Sequence, residues 1–225
     1  MWLEIVAWVS ILLGVFTALL IILDERKNPN AMSIMNIVWP ITGLYFPIIG
    51  LYFYSLMGRS NVNKETGGNH PFWKDIFVSS THCGSGCVIG DIIGAPIVFI
   101  SGLTLLGHPL FAEFALELTL AYLFGIAFQF IPIDAMQQMM KQPLSKGEII
   151  VKAIKADTLS LTAYELGMFG WMAFVHFIVI PINTPTPNTI TYWFLMQIGM
   201  IMGFLTTYPA NWFLINCGIK GKMCT

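Results

Sequence analysis

Two cysteines, a histidine and an aspartate fall within one short apolar stretch, Thr81-His82-Cys83-Gly84-Ser85-Gly86-Cys87-Val88-Ile89-Gly90-Asp91. Cys83, Cys87 and Asp91 follow i, i+4, i+8, a spacing that a helix turns into one stripe. Thiolates are soft donors, so two of them a turn apart can hold one soft ion, copper or zinc in preference to magnesium or calcium. His82 offers an imidazole close by, but one residue rotates its direction by about 100° away from the thiols. It joins the site only if Gly84-Ser85-Gly86 departs from regular helix; otherwise another helix must supply the donor. A lone membrane cysteine is ordinarily a small packing residue. Several polar groups this close together in an apolar run point to function instead, because polar groups at membrane depth are costly.

A second stretch offers partners. Glu165, Met168, Met172 and His176 are spaced three, four and four, which places a carboxylate, two thioethers and an imidazole along one helical face. The chain has 13 methionines, and thioethers suit Cu(I), although each methionine alone reads as packing. Met196, Gln197 and Met200, then Thr207, Tyr208 and Asn211, add polar and thioether positions further on, and Met32 and Met35 stand at the start of the second apolar run. Glu113 and Glu117, near His108, read first as favourable charges at a helix N-terminus and second as a cation-collecting mouth. Met136, Met139 and Met140 beside Asp134 read as interfacial anchors or a ligand patch, and Cys217 and Cys224 as a weak thiol pair in the tail. Gly86, Gly90 and Gly94 form a stripe of their own, the spacing that lets two helix backbones approach closely.

These residues must be positioned inside a bilayer. The 225 residues are 56% hydrophobic and only 10% charged, too few charges to solvate a globule of this size. The net charge of −1 leaves no basic face for nucleic acid. Long apolar runs separated by short polar breaks predict an all-α polytopic bundle of six spans, about 2–23, 33–57, 77–106, 111–133, 158–182 and 191–216, in a single domain. The first run has no basic leader and no small-residue cleavage site, so it reads as a retained span. Pro40, Pro47, Pro96 and Pro209 predict kinks within spans. Lys146–Ala156 reads as a separate amphipathic helix on the membrane surface. With six spans, nine of the 11 basic residues share one side, which places the N- and C-termini in the cytoplasm.

The chain resembles a family of prokaryotic multi-pass membrane proteins, classed as a domain of unknown function and marked by T-H-C-G-x-G-C-x-x-G-D. The resemblance rests on Thr81 to Asp91, on Asn36-Ile37-Val38-Trp39-Pro40-Ile41-Thr42 and on Lys155-Ala156-Asp157-Thr158-Leu159-Ser160-Leu161-Thr162-Ala163. It continues through Glu165-Leu166-Gly167-Met168-Phe169-Gly170-Trp171-Met172, Met196-Gln197-Ile198-Gly199-Met200 and Tyr208-Pro209-Ala210-Asn211-Trp212. The resemblance implies a multi-pass fold and a site at the motif, and brings no activity with it. It also implies a histidine-rich loop before the motif, where this chain has only His70.

The expectation is therefore a cell-membrane protein that binds a soft metal, copper first and zinc second, for transport or delivery, with no catalytic residue assigned. Met32, Met35 and His176 would receive the ion on the outer side, Met172, Met168 and Glu165 would pass it on, and Cys83, Cys87, His82 and Asp91 would hold it. The alternatives are an accessory subunit packed into a larger membrane complex or a homo-oligomer, and a membrane thiol-redox protein using the C-x3-C pair. The redox reading lacks a C-x-x-C or thioredoxin pattern.

Overall fold

In the computed structural model the described residues are 2–30, 32–59, 71–139, 145–182 and 184–221, the side chains of 132–139 excepted. They form seven α-helices: α1 Trp2–Lys27, α2 Met35–Tyr45, α3 Ile49–Phe53, α4 Phe72–Ser101, α5 Pro109–Met139, α6 Lys146–Phe174 and α7 Ile190–Asn216. Wider π turns continue α3 over Tyr54–Gly58 and α6 over Val175–Val179. Five helices are long and apolar enough to cross a membrane, and the chain is a multi-pass integral membrane protein. His70, Met140 and Cys224 lie outside the described residues, as do the side chains of Asp134, Met136 and Met139.

The second expected span divides into two short helices, and neither is among the five long enough to cross a membrane. α2 ends at Tyr45, and α3 folds back beside it, so that a Cβ on Gly50 would stand 3.0 Å from the Gly43 Cα. The Trp39 and Tyr54 rings meet edge to face at 5.8 Å between centroids. Pro47 cannot donate to a helical ladder, and Ile48 turns the chain at φ 62°, a conformation that strains a β-branched residue. Irregular backbone survives at membrane depth only where protein groups satisfy it. Here Thr17 Oγ1 accepts from the Ile48 N–H at 3.0 Å, and Gln197 Nε2 donates to the Leu44 carbonyl at 2.6 Å. Ser10 Oγ in turn donates to Gln197 Oε1 at 2.6 Å, fixing the amide. Composition and length alone make 33–57 look like one span; the turn at Pro47-Ile48 divides it.

The hairpin changes the topology. It returns the chain to the end where α1 finishes: Tyr54 donates to Asp24 at 2.9 Å, and Arg59 pairs with both Asp24 oxygens at 3.0 and 2.9 Å. That end is also where α4 begins, since the Phe53 and Phe77 rings lie 4.3 Å apart. α7 finishes there too, with Asn211 beside Ser80 and the Tyr208 hydroxyl donating to the Trp73 carbonyl. α1 and α7 therefore run parallel, and the described N- and C-terminal ends stand at opposite ends of the bundle. This corrects the six-span reading with both termini on one side. Met32 and Met35 consequently stand at the opposite end from His176.

Other boundaries shift for local reasons. α4 begins directly after Pro71 and stops at Gly102, whose φ of 66° suits a residue without a Cβ. The expected surface helix 146–156 is continuous with α6, because no proline interrupts 146–174. Ser145 caps it: its hydroxyl accepts from the Glu148 N–H at 3.3 Å while Glu148 accepts from the Ser145 N–H at 2.8 Å. Pro40, Pro96 and Pro209 sit inside α2, α4 and α7.

α4 is the most enclosed of the five long helices. Its glycine stripe faces α5. A Cβ on Gly86 would stand 2.8 Å from the Gly125 Cα, one on Gly90 2.6 Å from the Ala121 nitrogen, and one on Gly94 2.7 Å from the Glu117 Cγ. Close contact between these two helices turns the thiol-bearing stripe of α4 toward α6 and the hairpin.

Candidate functional site

Cys83 and Cys87 are free thiols, 1% and 0% exposed, one turn apart in the middle of α4. They belong to the apolar core that also holds Tyr45, Tyr164, Met168, Met196 and Met200. α6 lies across from them. Cys83 stands by Ser160, and Cys87 stands by Glu165, whose carboxyl oxygens have no aligned hydrogen-bond partner. A buried carboxyl with only a weakly donating thiol beside it is expensive, and a proton or a cation would offset that cost. Gly84 and Gly203 give Tyr164 its place between α4 and α7; a Cβ on either would come within 3.0 Å of its ring or backbone. The Tyr164 hydroxyl is likewise buried and unpartnered.

The structure separates the remaining expected ligands. His82 is fully buried, but its ring faces Phe128 of α5 at 6.3 Å and both nitrogens lack partners. The motif glycines stay helical, so His82 keeps its rotation away from the thiols. Asp91, one turn beyond Cys87, is also fully buried with both oxygens unpartnered, and it lies in electrostatic range of Glu113, Glu117 and Glu165. Met168 and Met172 are buried, and His176 is partly exposed at the end away from the basic residues. Among the described residues, no three His, Cys, Asp or Glu side chains converge tightly enough to hold a metal ion. The available soft set is therefore two thiols, with thioether or single carboxylate support.

Glu113 and Glu117 are not helix caps. α5 begins at Pro109, and the two carboxyl side chains are buried to 8% and 1% exposure, deeper in the bundle than capping allows. Glu113 lines a cavity of about 120 Å³ with Met172, His176 and Tyr192, under the segment joining α6 to α7.

A polar knot at the other end escapes the sequence reading. Asp157 and Lys220 are both buried and meet at 2.5 Å. Lys220 also donates to Asn211 Oδ1 at 3.0 Å, which accepts from Ser160 Oγ at 2.8 Å, while Asn211 Nδ2 donates to Ser80 Oγ at 3.1 Å. Burial depresses the Lys220 ammonium, but Asp157 and the nearby thiols outweigh it and leave the group above its ordinary value. Lys220 looks in the sequence like one more tail charge. The only signal is Asp157, a carboxylate at the start of an apolar run that needs a counter-charge.

No curated protein and no solved structure matches the chain. Residues 72–220, which hold the thiols, Glu165, Asn211 and Lys220 but not the hairpin, match the model described as Domain of unknown function (DUF4396), and the chain belongs to that family.

Proposed function

We propose that this membrane protein binds copper as Cu(I) between Cys83 and Cys87 and carries it across the bilayer or hands it to a membrane acceptor. The observation behind this reading is the pair of free, fully enclosed thiols one turn apart, with the buried Glu165 carboxyl beside Cys87 in the middle of the bundle. Two thiolates with a thioether such as Met168 suit Cu(I), whereas a structural zinc site asks for four donors. Zinc is therefore the weaker candidate for this donor set, and His82 and Asp91 stand outside it. Thiols must deprotonate to ligate, and the bound cation offsets the charge that would otherwise be stranded in the core. The hairpin favours movement over passive packing, because broken helices meeting at membrane depth accompany substrate paths.

The hairpin topology supports an orientation as well. Every described basic residue, Arg26, Lys27, Arg59, Lys74, Lys146, Lys152, Lys155 and Lys220, stands at the end where α4 begins. Basic residues mark the cytoplasmic side, so the N-terminus is outside and the C-terminus inside. The test of the copper reading is metal analysis of protein purified reduced in mild detergent after copper-replete growth. The wild type holds copper stoichiometrically, and a Cys83→Ser, Cys87→Ser double variant holds none.

A further inference from the structure

The bundle has a column of carboxyls that the thiol site does not use. It starts at Glu113 in the wall of the 120 Å³ cavity at the end away from the basic residues. Glu117 lies one turn deeper on α5, its side chain resting over Gly94, where a Cβ would stand 2.7 Å from the Glu117 Cγ. Asp91 follows on α4, three residues before Gly94, and Glu165 on α6 closes the series beside Cys87. Asp91 has no hydrogen-bond partner on either oxygen, Glu117 has none on Oε1, Glu165 has only the Cys87 thiol beside it, and all three are at most 1% exposed. The charged groups acting on Asp91 and Glu117 are other carboxyls. No described basic side chain compensates them, although a core without a ligand would favour apolar residues at these positions.

We propose that Glu113, Glu117 and Asp91 form the passage by which a cation moves from this cavity to the thiols. The inference rests on the copper reading and adds the route and the face of access. Each buried carboxyl gives up its proton toward the cavity as the cation arrives, and each step inward exchanges one oxygen neighbour for the next. Their spacing as a series suits transit, since a resting site would gather its donors around one point. At Glu165 the ion meets the Cys87 thiol and passes from hard oxygen to soft sulfur, which fixes the direction of capture. Met172 and His176, in the cavity wall beside Glu113, supply donors for first contact. No electron is transferred in this passage.

The test uses the full chain in proteoliposomes with Cu(I) buffered by a membrane-impermeant ligand on the N-terminal side. Loading is read as copper bound to the re-isolated protein at successive times after the metal is added, with the Cys83→Ser, Cys87→Ser variant as the blank. Glu117→Gln and Asp91→Asn should slow loading at least about tenfold, the scale on which a charged, low-dielectric cleft raises ion capture. The same variants, left to equilibrate in detergent, should reach wild-type copper content, and Glu117→Asp should load faster than Glu117→Gln. Unchanged loading rates in variants that fold and bind copper would overturn the passage while leaving the thiol site standing. A wild type that binds no copper in detergent would overturn the site, and the passage with it.

Discussion

Replacing Lys220 by Met should cost far more than removing a tail charge. The ammonium is enclosed and meets Asp157 at 2.5 Å, and Asp157 Oδ2 has no other partner. The substitution leaves a carboxylate at 1% side-chain exposure with neither counter-charge nor hydrogen bond. Breaking a buried pair from one side costs about 3–5 kcal/mol, whereas replacing both partners by uncharged groups is often close to neutral. Asn211 also loses the Lys220 donor but keeps Ser160, Ser80 and Thr207, which limits the additional loss to about 1 kcal/mol. Lys220→Met should therefore lose about 4–6 kcal/mol, and the Asp157→Asn, Lys220→Met double variant should recover most of it. The assay is unfolding in mixed detergent micelles, followed by the exposure of Cys83 and Cys87 to a thiol dye. Lys220 is held above its ordinary value of 10.5, so its contribution is fully present at neutral pH and is lost as pH rises through the higher folded value. This contribution should stay flat through neutral pH and decline in strong alkali. A Lys220→Met protein as stable as the wild type, or a double variant as weak as the two losses summed, would refute the reasoning.

Three further outcomes follow from the packing. Gly90→Leu should abolish stable expression, because a Cβ there already comes within 2.6 Å of the Ala121 nitrogen; normal yield and an unchanged melting temperature would contradict the α4–α5 contact. Thr17→Val removes the acceptor of the Ile48 N–H, so it should destabilise the hairpin by about 1–2 kcal/mol and speed hydrogen exchange at Ile48, while Thr119→Val, whose hydroxyl bonds only within α5, should not. In intact cells an impermeant maleimide should miss the exposed Cys217, and a protease should remove a tag placed before Trp2; the reverse pattern would invert the orientation.

Much of the bundle is legible in the sequence because membrane spans announce themselves by length and apolarity. α1, α4, α5 and α7 lie close to their expected positions, and the spacing of Gly86, Gly90 and Gly94 anticipates a face of close approach. The hairpin is not legible that way. Its two arms and the turn between them are as apolar as one span, and what divides them is a turn at Ile48 supported by Thr17 and Gln197, 31 and 149 residues distant. Charge counting inherits that error: a crossing too many sends Arg26 and Lys27 to the wrong face. The stripe of Cys83, Cys87 and Asp91 is periodicity and can be read directly, but which groups confront it depends on the rotation of α5 and α6. For that reason His82, adjacent in sequence, faces Phe128, whereas Glu117 joins Asp91 from a different helix. The buried state of Lys220 is equally a tertiary fact, created by the fold of the chain past Asn216 onto Asp157.

Copper-edge X-ray absorption on the reduced, copper-loaded full chain in detergent bears most directly on the thiol site. The account predicts Cu(I) with a first shell of sulfur at thiolate distance, and loss of that shell in the Cys83→Ser, Cys87→Ser variant. A shell of nitrogen and oxygen alone, or the same sulfur shell in the double variant, would contradict it.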